Sequence, residues 1–376
     1  MACGGPAQPA TTETPAAEVP HGYVEGAEET AEAQPRLVVV DSAAGAVRVL
    51  DLVTEEVHEM GTVTGAAPVV GDGRHAYLGA ADGTVHVVDT GAWKVPHGDH
   101  VHYYRAEVRD VGSLPAAAPT AAHGDRGVTA LTLADGTVRL LDRERLDEGE
   151  VAELGTIPGA VAAAVTYEGH VLVAGDGVAV HDRTGARVGA VEGTCAEPAG
   201  TAVTRSGVVF GCADGALLVT GDGGTFRGEK IPYPAAVPDA ERVRAFTHRP
   251  DSATLTAPAG ESGVWVLEVG DRAWTRHATG PVVAVNTAGL DTPLLTLTAD
   301  GVLHALDPAS GQELAATPLL AAPVAEGATI EVDSSRAYVN DPASGVVHEI
   351  DYNDALRVAR TFELDGAATS MVETGR

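Results

Sequence analysis

Three imidazoles and a carboxylate fall within six residues of this chain, at His97, Asp99, His100 and His102. They belong to the segment Trp93-Lys94-Val95-Pro96-His97-Gly98-Asp99-His100-Val101-His102-Tyr103-Tyr104, and nowhere else are potential metal ligands so dense. Imidazole nitrogen is a preferred ligand of Zn²⁺ and similar borderline cations, and three such ligands plus one further group complete a tetrahedral shell. His100 and His102 are two apart, so an extended backbone points both rings to one side. Gly98 allows the bend that returns His97 to the same centre, and Asp99 can ligate or orient a ring. Imidazole binds a metal only when neutral, so affinity should fall as pH drops below about 6.5.

The elements that must hold these residues repeat along the chain. A short apolar strand, a Gly-containing turn and an alternating strand ending in Asp recur in Gly83-Thr84-Val85-His86-Val87-Val88-Asp89, Gly136-Thr137-Val138-Arg139-Leu140-Leu141-Asp142 and Gly301-Val302-Leu303-His304-Ala305-Leu306-Asp307. Further copies end at Asp51, Asp182, Asp222, Glu268 and Asp351. The endpoints are spaced by about 40 residues, the length of a four-stranded propeller blade. One interval is wider, from Asp89 to Asp142, and it contains the histidine segment. The expected fold is therefore all-β: a β-propeller of eight four-stranded blades, with seven as the alternative because the copies at Asp222 and Glu268 are degenerate.

In the first blade, residues 36 to 41 already read as a second strand and 46 to 52 as a third, so the innermost strand is missing. The tail from Ala367 to Val372 is the natural donor. Closing the ring with strands from both termini removes exposed edges. Residues 36–376 are thus expected to form a single propeller domain. Residues 1–35, rich in Pro, Ala, Thr and Glu, read as a lipoprotein-like N-terminus and a disordered acidic tether.

The same repeat sorts the fourteen histidines. His86, His304 and His348 each sit three residues before the blade Asp, in a slot that Arg48 and Arg139 fill elsewhere, so they serve the blade through local polar contacts. His58, His181 and His277 read as solvated surface residues. The insert follows the third strand of the second blade and is a connection on the face where first-to-second-strand turns also emerge. His123 is expected in such a turn of the third blade, and His170 opens the second strand of the fourth. Topology would bring His97, Asp99, His100, His102 and His123, with His170 nearby, to one side of adjacent blades.

A formal net charge of −29 excludes a phosphate-tracking, nucleic-acid-binding surface and draws cations instead. The chain is 44% hydrophobic but only 4% aromatic, with Gly 45 and Pro 22. That mixture suits many short Val-rich strands joined by Gly turns. Only Lys94 and Lys230 are lysines. Met1-Ala2-Cys3-Gly4-Gly5 is like the end of a bacterial lipoprotein signal, with Cys3 as the lipidated residue, so an extracytoplasmic, lipid-anchored protein of actinobacterial type is expected. No apolar run of about 18 residues follows, and no membrane span is expected. Cys195 and Cys212 flank two adjacent antiparallel strands at a separation suited to a disulfide, with buried free thiols as the alternative.

His97-Gly98-Asp99-His100-Val101-His102-Tyr103-Tyr104 is similar to the motif of periplasmic zinc metallochaperones of the AztD type, β-propeller partners of a zinc ABC transporter. Val209-Phe210-Gly211-Cys212-Ala213-Asp214-Gly215, Ala337-Tyr338-Val339-Asn340-Asp341-Pro342 and His348-Glu349-Ile350-Asp351-Tyr352 resemble that family's blade signatures, as does Arg357-Val358-Ala359-Arg360-Thr361-Phe362. The resemblance runs from about residue 36 onward. It implies binding of Zn²⁺ and its handover to the transporter's solute-binding protein; a monomer is expected. The family also carries further histidines on inner strands. Here Ala121 and Ala122 adjoin His123, Cys195-Ala196-Glu197-Pro198 has no histidine, and the tether has only His21, which argues against a second, axial zinc site. The alternative function is a metal-free acidic scaffold for protein or cell-wall interactions. No enzyme is expected, because no nucleophile elbow or paired-carboxylate motif is present and no residue is marked as a general base.

Overall fold

The computed structural model describes Met1 and residues 22–66, 68–97, 100–159, 161–175 and 177–376, at His97 the backbone alone. Strands dominate it, with one short α-helix, Arg143–Glu148, among the described residues. Eight antiparallel sheets succeed one another in chain order. The first consists of Ser370–Thr374, Arg36–Asp41, Ala46–Asp51 and Val57–Thr62, and the second of Val69–Gly71, His75–Gly79, Thr84–Asp89 and Arg109–Pro115. The third begins with Pro119–Gly124, the fourth with Ala163–Tyr167, the fifth with Thr201–Thr204, the seventh with Ala284–Thr287 and the eighth with Ile330–Val332.

The packing between sheets makes this series a ring. Alternate residues of each strand face opposite neighbours. Val38, Val40 and Val49 of the first sheet pack on Ala76 and Leu78 of the second, whereas Leu37, Val39 and Leu50 pack on Tyr338, Val347 and Phe362 of the eighth. Equivalent apolar clusters join each later pair, for example Val165, Leu172 and Phe210 between the fourth and fifth sheets. The fold is a β-propeller. The tail closes it: Ser370–Thr374 is the innermost strand of the first sheet, with Val38 opposite Val372 and Leu37 opposite Glu373.

The Asp that ends each repeat has a local task. Asp51 Oδ1 accepts from the N–H groups of Val53 and Thr54 at 2.9 Å, and Asp307 Oδ1 from those of Ala309 and Ser310. Asp142 caps the helix in the same way, accepting from Glu144 and Arg145. Each carboxylate thus satisfies the amides freed where the strand turns.

Three expectations need correction. The sixth sheet has three strands, Thr254–Pro258, Val264–Glu268 and Ala273–His277, where four were expected. Its innermost position shrinks to a single bridge, Thr247 to Thr256, in a stretch interrupted by Pro234, Pro238 and Pro250, which cannot donate to a ladder. Within the segment read as tether, Glu28–Thr30 is a strand. The histidine insert is itself an antiparallel strand pair, Ala92–His97 with His100–Arg105, and Glu28–Thr30 adds to its edge to make a ninth, three-stranded sheet. No described helix is long and apolar enough to cross a membrane.

Candidate metal centre

The ninth sheet leaves the second sheet after Asp89 and returns at Arg109, so it is a connection between that sheet's third and fourth strands, where the insert was expected. Its root is held by charge. Arg74, 1% exposed, gives two hydrogen bonds to Asp89, at 2.9 and 2.8 Å, and Arg109 adds a third at 3.0 Å. Desolvation works against ionising Asp89. The Arg74 hydrogen bonds and the His75 and Arg74 charges nevertheless hold its carboxyl well below the usual range. Arg36 donates to the carbonyls of Thr90 and Ala106, one on each side of the insert.

From this root the sheet lies over one face of the ring. Trp93, Val95 and Tyr104 form its own small core with Val24 and Ala27. Arg74 stacks on the Trp93 ring at 3.8 Å, and Trp93 Nε1 donates to the Gly22 carbonyl. Gly22 has φ +77, and a Cβ there would meet Val95 at 2.2 Å, so only glycine lets the chain lie on this core. Arg126 reaches the Pro96 carbonyl from the third sheet, and Lys94 pairs with Asp251 of the sixth at 2.6 Å. An open cleft of about 470 Å³ lies beside these contacts, lined by Lys94 and Tyr103 of the ninth sheet and by Arg249, Asp333 and Arg376.

On the strand His100–Arg105, flanked by Ala92–His97 and Glu28–Thr30, the alternation does what the spacing predicts. The rings of His100 and His102 lie side by side with centroids 4.7 Å apart, and their Nε2 atoms are 3.1 Å from one another. A tetrahedral zinc with Zn–N bonds of about 2.0–2.1 Å spaces two ligand nitrogens by roughly 3.3 Å, close to this value. His102 Nδ1 donates to Glu29 Oε1 at 2.6 Å. His97 is opposite His100 in the register, which brings its backbone to the same end of the sheet. The His97 side chain and Asp99 lie outside the described residues, as does Cys3. Among the described residues no group of three potential metal ligands is assembled. His100, His102 and Glu29 are nonetheless of the right chemistry for a zinc ion, two imidazole nitrogens facing one point with a carboxylate behind one ring.

His123 is elsewhere. It sits within the strand Pro119–Gly124, the innermost of the third sheet, and not in the turn that follows, which Asp125 caps by accepting from Gly127 and Val128. Pairing through Gly124, opposite Thr129, keeps it in the strand. Its Nε2 meets Thr201 Oγ1 of the fifth sheet at 3.0 Å. Burial lowers its pKa to about 4, against the opposing charge of Asp72. His248, beside the Thr247 bridge, is partly buried, contacts the Val203 carbonyl through Nε2, and is lowered to about 4, chiefly by desolvation. His248 is an electrostatic neighbour of both His123 and Arg376. The sequence places His248 at the end of the sixth sheet's first strand, but spacing alone does not bring it to His123.

The remaining histidines divide by burial. His304 Nδ1 meets Glu313 across to the outer strand at 2.8 Å, as Arg48 meets Glu59 and Arg139 meets Glu153 from the same slot. His170 opens its strand and packs edge-on against Phe226. His181 and His277, read as solvated, are buried, with partners in the carbonyls of Gly185 and Pro308. Cys195 and Cys212 form a disulfide.

No protein-family model matches the chain, and no curated protein matches it significantly. Solved structures do. Apo AztD from Citrobacter koseri is similar with a TM-score of 0.75 at 16% identity, covering 92% of this chain and 99% of that one. A second AztD structure from the same organism gives 0.76 at 17% with the same coverage. The computationally designed Ika8 protein is more distant, at 0.55 and 19% over 82% of this chain and 93% of its own. The chain is therefore a β-propeller, and its fold is AztD-like.

Proposed function

We propose that this protein is an extracytoplasmic zinc-binding metallochaperone. It holds Zn²⁺ on the ninth sheet and hands it to the solute-binding protein of a zinc ABC transporter. The observation that carries the reading is the approach of His100 and His102 Nε2 to 3.1 Å on one strand, in a fold similar to AztD. His97 and Asp99 are the candidates to complete the shell, and the inner His123 stands apart from it. The site lies at the edge of an acidic molecule, where the field concentrates cations and an ion can leave toward a partner without crossing the ring. The protein acts as a monomer, is not an enzyme, and is anchored through lipid on Cys3.

Calorimetric titration of Zn²⁺ into protein purified without a histidine tag tests the reading. The double variant His100→Ala, His102→Ala is expected to lose tight binding while its thermal unfolding midpoint stays within a few degrees of the wild type, because both residues lie outside the inter-sheet cores. Undiminished affinity in that variant would refute the site. A wild-type protein with no zinc affinity beyond that of an exposed histidine pair would instead favour a metal-free acidic scaffold.

A further inference from the structure

Glu29 stands about seventy residues before the histidines, on a strand that belongs to none of the ring's eight sheets. Its carboxylate takes the Nδ1 edge of His102, while the Nε2 edge of the same ring faces His100. A neutral imidazole has one N–H. Donating it from Nδ1 to Glu29 leaves the lone pair on Nε2, aimed where a cation shared with His100 would sit. From the Nδ1 side, Glu29 can orient the ring without competing for that place. We infer that Glu29 is a positioning residue for the cation, and that docking of the strand Glu28–Thr30 and cation binding reinforce each other. The inference rests on the zinc reading above.

The docked strand is also tied by its backbone pairing with Tyr103, Tyr104 and Arg105 and by two further side-chain contacts. Glu28 pairs with Arg105 at 2.8 Å, and Thr30 Oγ1 donates to the Tyr103 carbonyl at 3.4 Å. Both glutamates are substantially exposed, at 64% and 43%, so an ion pair alone contributes little to docking. A cation on Nε2 withdraws electron density from the ring and strengthens the Nδ1–H bond to the carboxylate. Removing such a partner lowers metal affinity by about 10- to 100-fold. Linkage requires that the factor by which the docked strand tightens the cation equals the factor by which the cation tightens docking.

Zn²⁺ alone, added to the full chain, tests this with two readouts: affinity by chelator competition, and hydrogen exchange at residues 28–30. Zinc is expected to slow that exchange by roughly 10- to 100-fold. Glu29→Ala should lower affinity by the same factor and abolish the zinc-dependent protection. Glu29→Gln, which keeps an acceptor oxygen, should recover part of both. Glu28→Ala should speed exchange with and without zinc while leaving the zinc-dependent increment. If the wild type binds zinc but Glu29→Ala matches it within about twofold, the inference falls and the zinc reading survives. A loss in Glu28→Ala equal to that in Glu29→Ala would likewise overturn the positioning role, and a wild type that does not bind zinc overturns both.

Discussion

Burial gives the histidines of this molecule two kinds of chemistry. His100 and His102 sit on the middle strand of the ninth sheet, off the ring, whereas His123 and His248 lie partly buried near the ring's innermost strands, where desolvation lowers the pKa of each to about 4. In the unfolded chain each would take up a proton near pH 6.5. The folded state therefore binds fewer protons, so stability is complete above pH 6.5 and is lost as pH falls toward 4, by about 3 kcal/mol per residue at the acid end. Urea titrations of the wild type and of His248→Gln between pH 7 and 4 should show a shallower decline in the variant; parallel curves would mean that His248 is not held neutral in the fold. Glu373 acts in the opposite sense. Its carboxyl is pushed up to about 8, first by desolvation and then by the Asp333 and Glu331 charges, against the pull of Arg376, which also pairs with Glu331 at 3.0 Å. One of its oxygens, Oε1, is buried without a partner, as a protonated carboxyl tolerates better than an ionised one. Folding here favours the protonated form, so its stability is complete below about pH 4.5 and is lost as pH rises through 8. Glu373→Gln should accordingly unfold at a higher temperature than the wild type at pH 9 and at the same temperature at pH 5; a variant less stable at both would show that the ionised pair with Arg376 prevails.

At the level of strands and sheets, the repeat was legible because each blade ends its third strand on a residue with a fixed job. Asp51, Asp89, Asp142, Asp222 and Asp351 all close strands, and together with Asp182, Glu268 and Asp307 they recur about every 40 residues except across the interval from Asp89 to Asp142. The strands Thr201–Thr204 and Gly207–Cys212, and the bridge between Cys195 and Cys212, could be read for the same reason: alternation fixes the faces, and the faces fix which side chains meet. Closing a loop of that length should contribute about 3 kcal/mol. Cys212→Ser is thus expected to shift the urea midpoint downward, and added reductant should reproduce the shift in the wild type but not in the variant. Other features were not legible, for physical reasons. Glu29 reaches His102 through strand addition across more than seventy residues, and no local pattern encodes that pairing. His181 and His277 lie beside strand ends whose exposure depends on the neighbouring sheet, so polarity alone misplaced them. His123 was misplaced because the strand pairing continues through Gly124, opposite Thr129, which keeps in a strand a residue that spacing had put in a turn.

Across the whole molecule, one short strand completes two cores at once. Met371 faces the cluster shared with the eighth sheet, and Val372 faces the cluster shared with the second, so Ser370–Thr374 seals the ring on both sides. It also covers Arg36–Asp41, six consecutive buried residues whose amides and carbonyls would otherwise form an open apolar edge. Asn340 adds a tie from the eighth sheet, donating from Nδ2 to the Ala368 carbonyl just before the strand begins. Met371→Ala is expected to cost about 2–5 kcal/mol through lost contacts and the cavity left behind. Ending the chain after Gly366 should do more than lower stability. The net charge of −29 opposes association of the closed ring, yet long-range repulsion is screened beyond about 10 Å in ordinary salt, while edge pairing acts at contact. The truncated chain should therefore be largely multimeric by light scattering in 0.15 M salt and more nearly monomeric at very low ionic strength, with its cooperative thermal transition broadened or lost in both. A truncated chain that stays monomeric at 0.15 M salt and melts like the wild type would show that the tail strand is not what closes the ring.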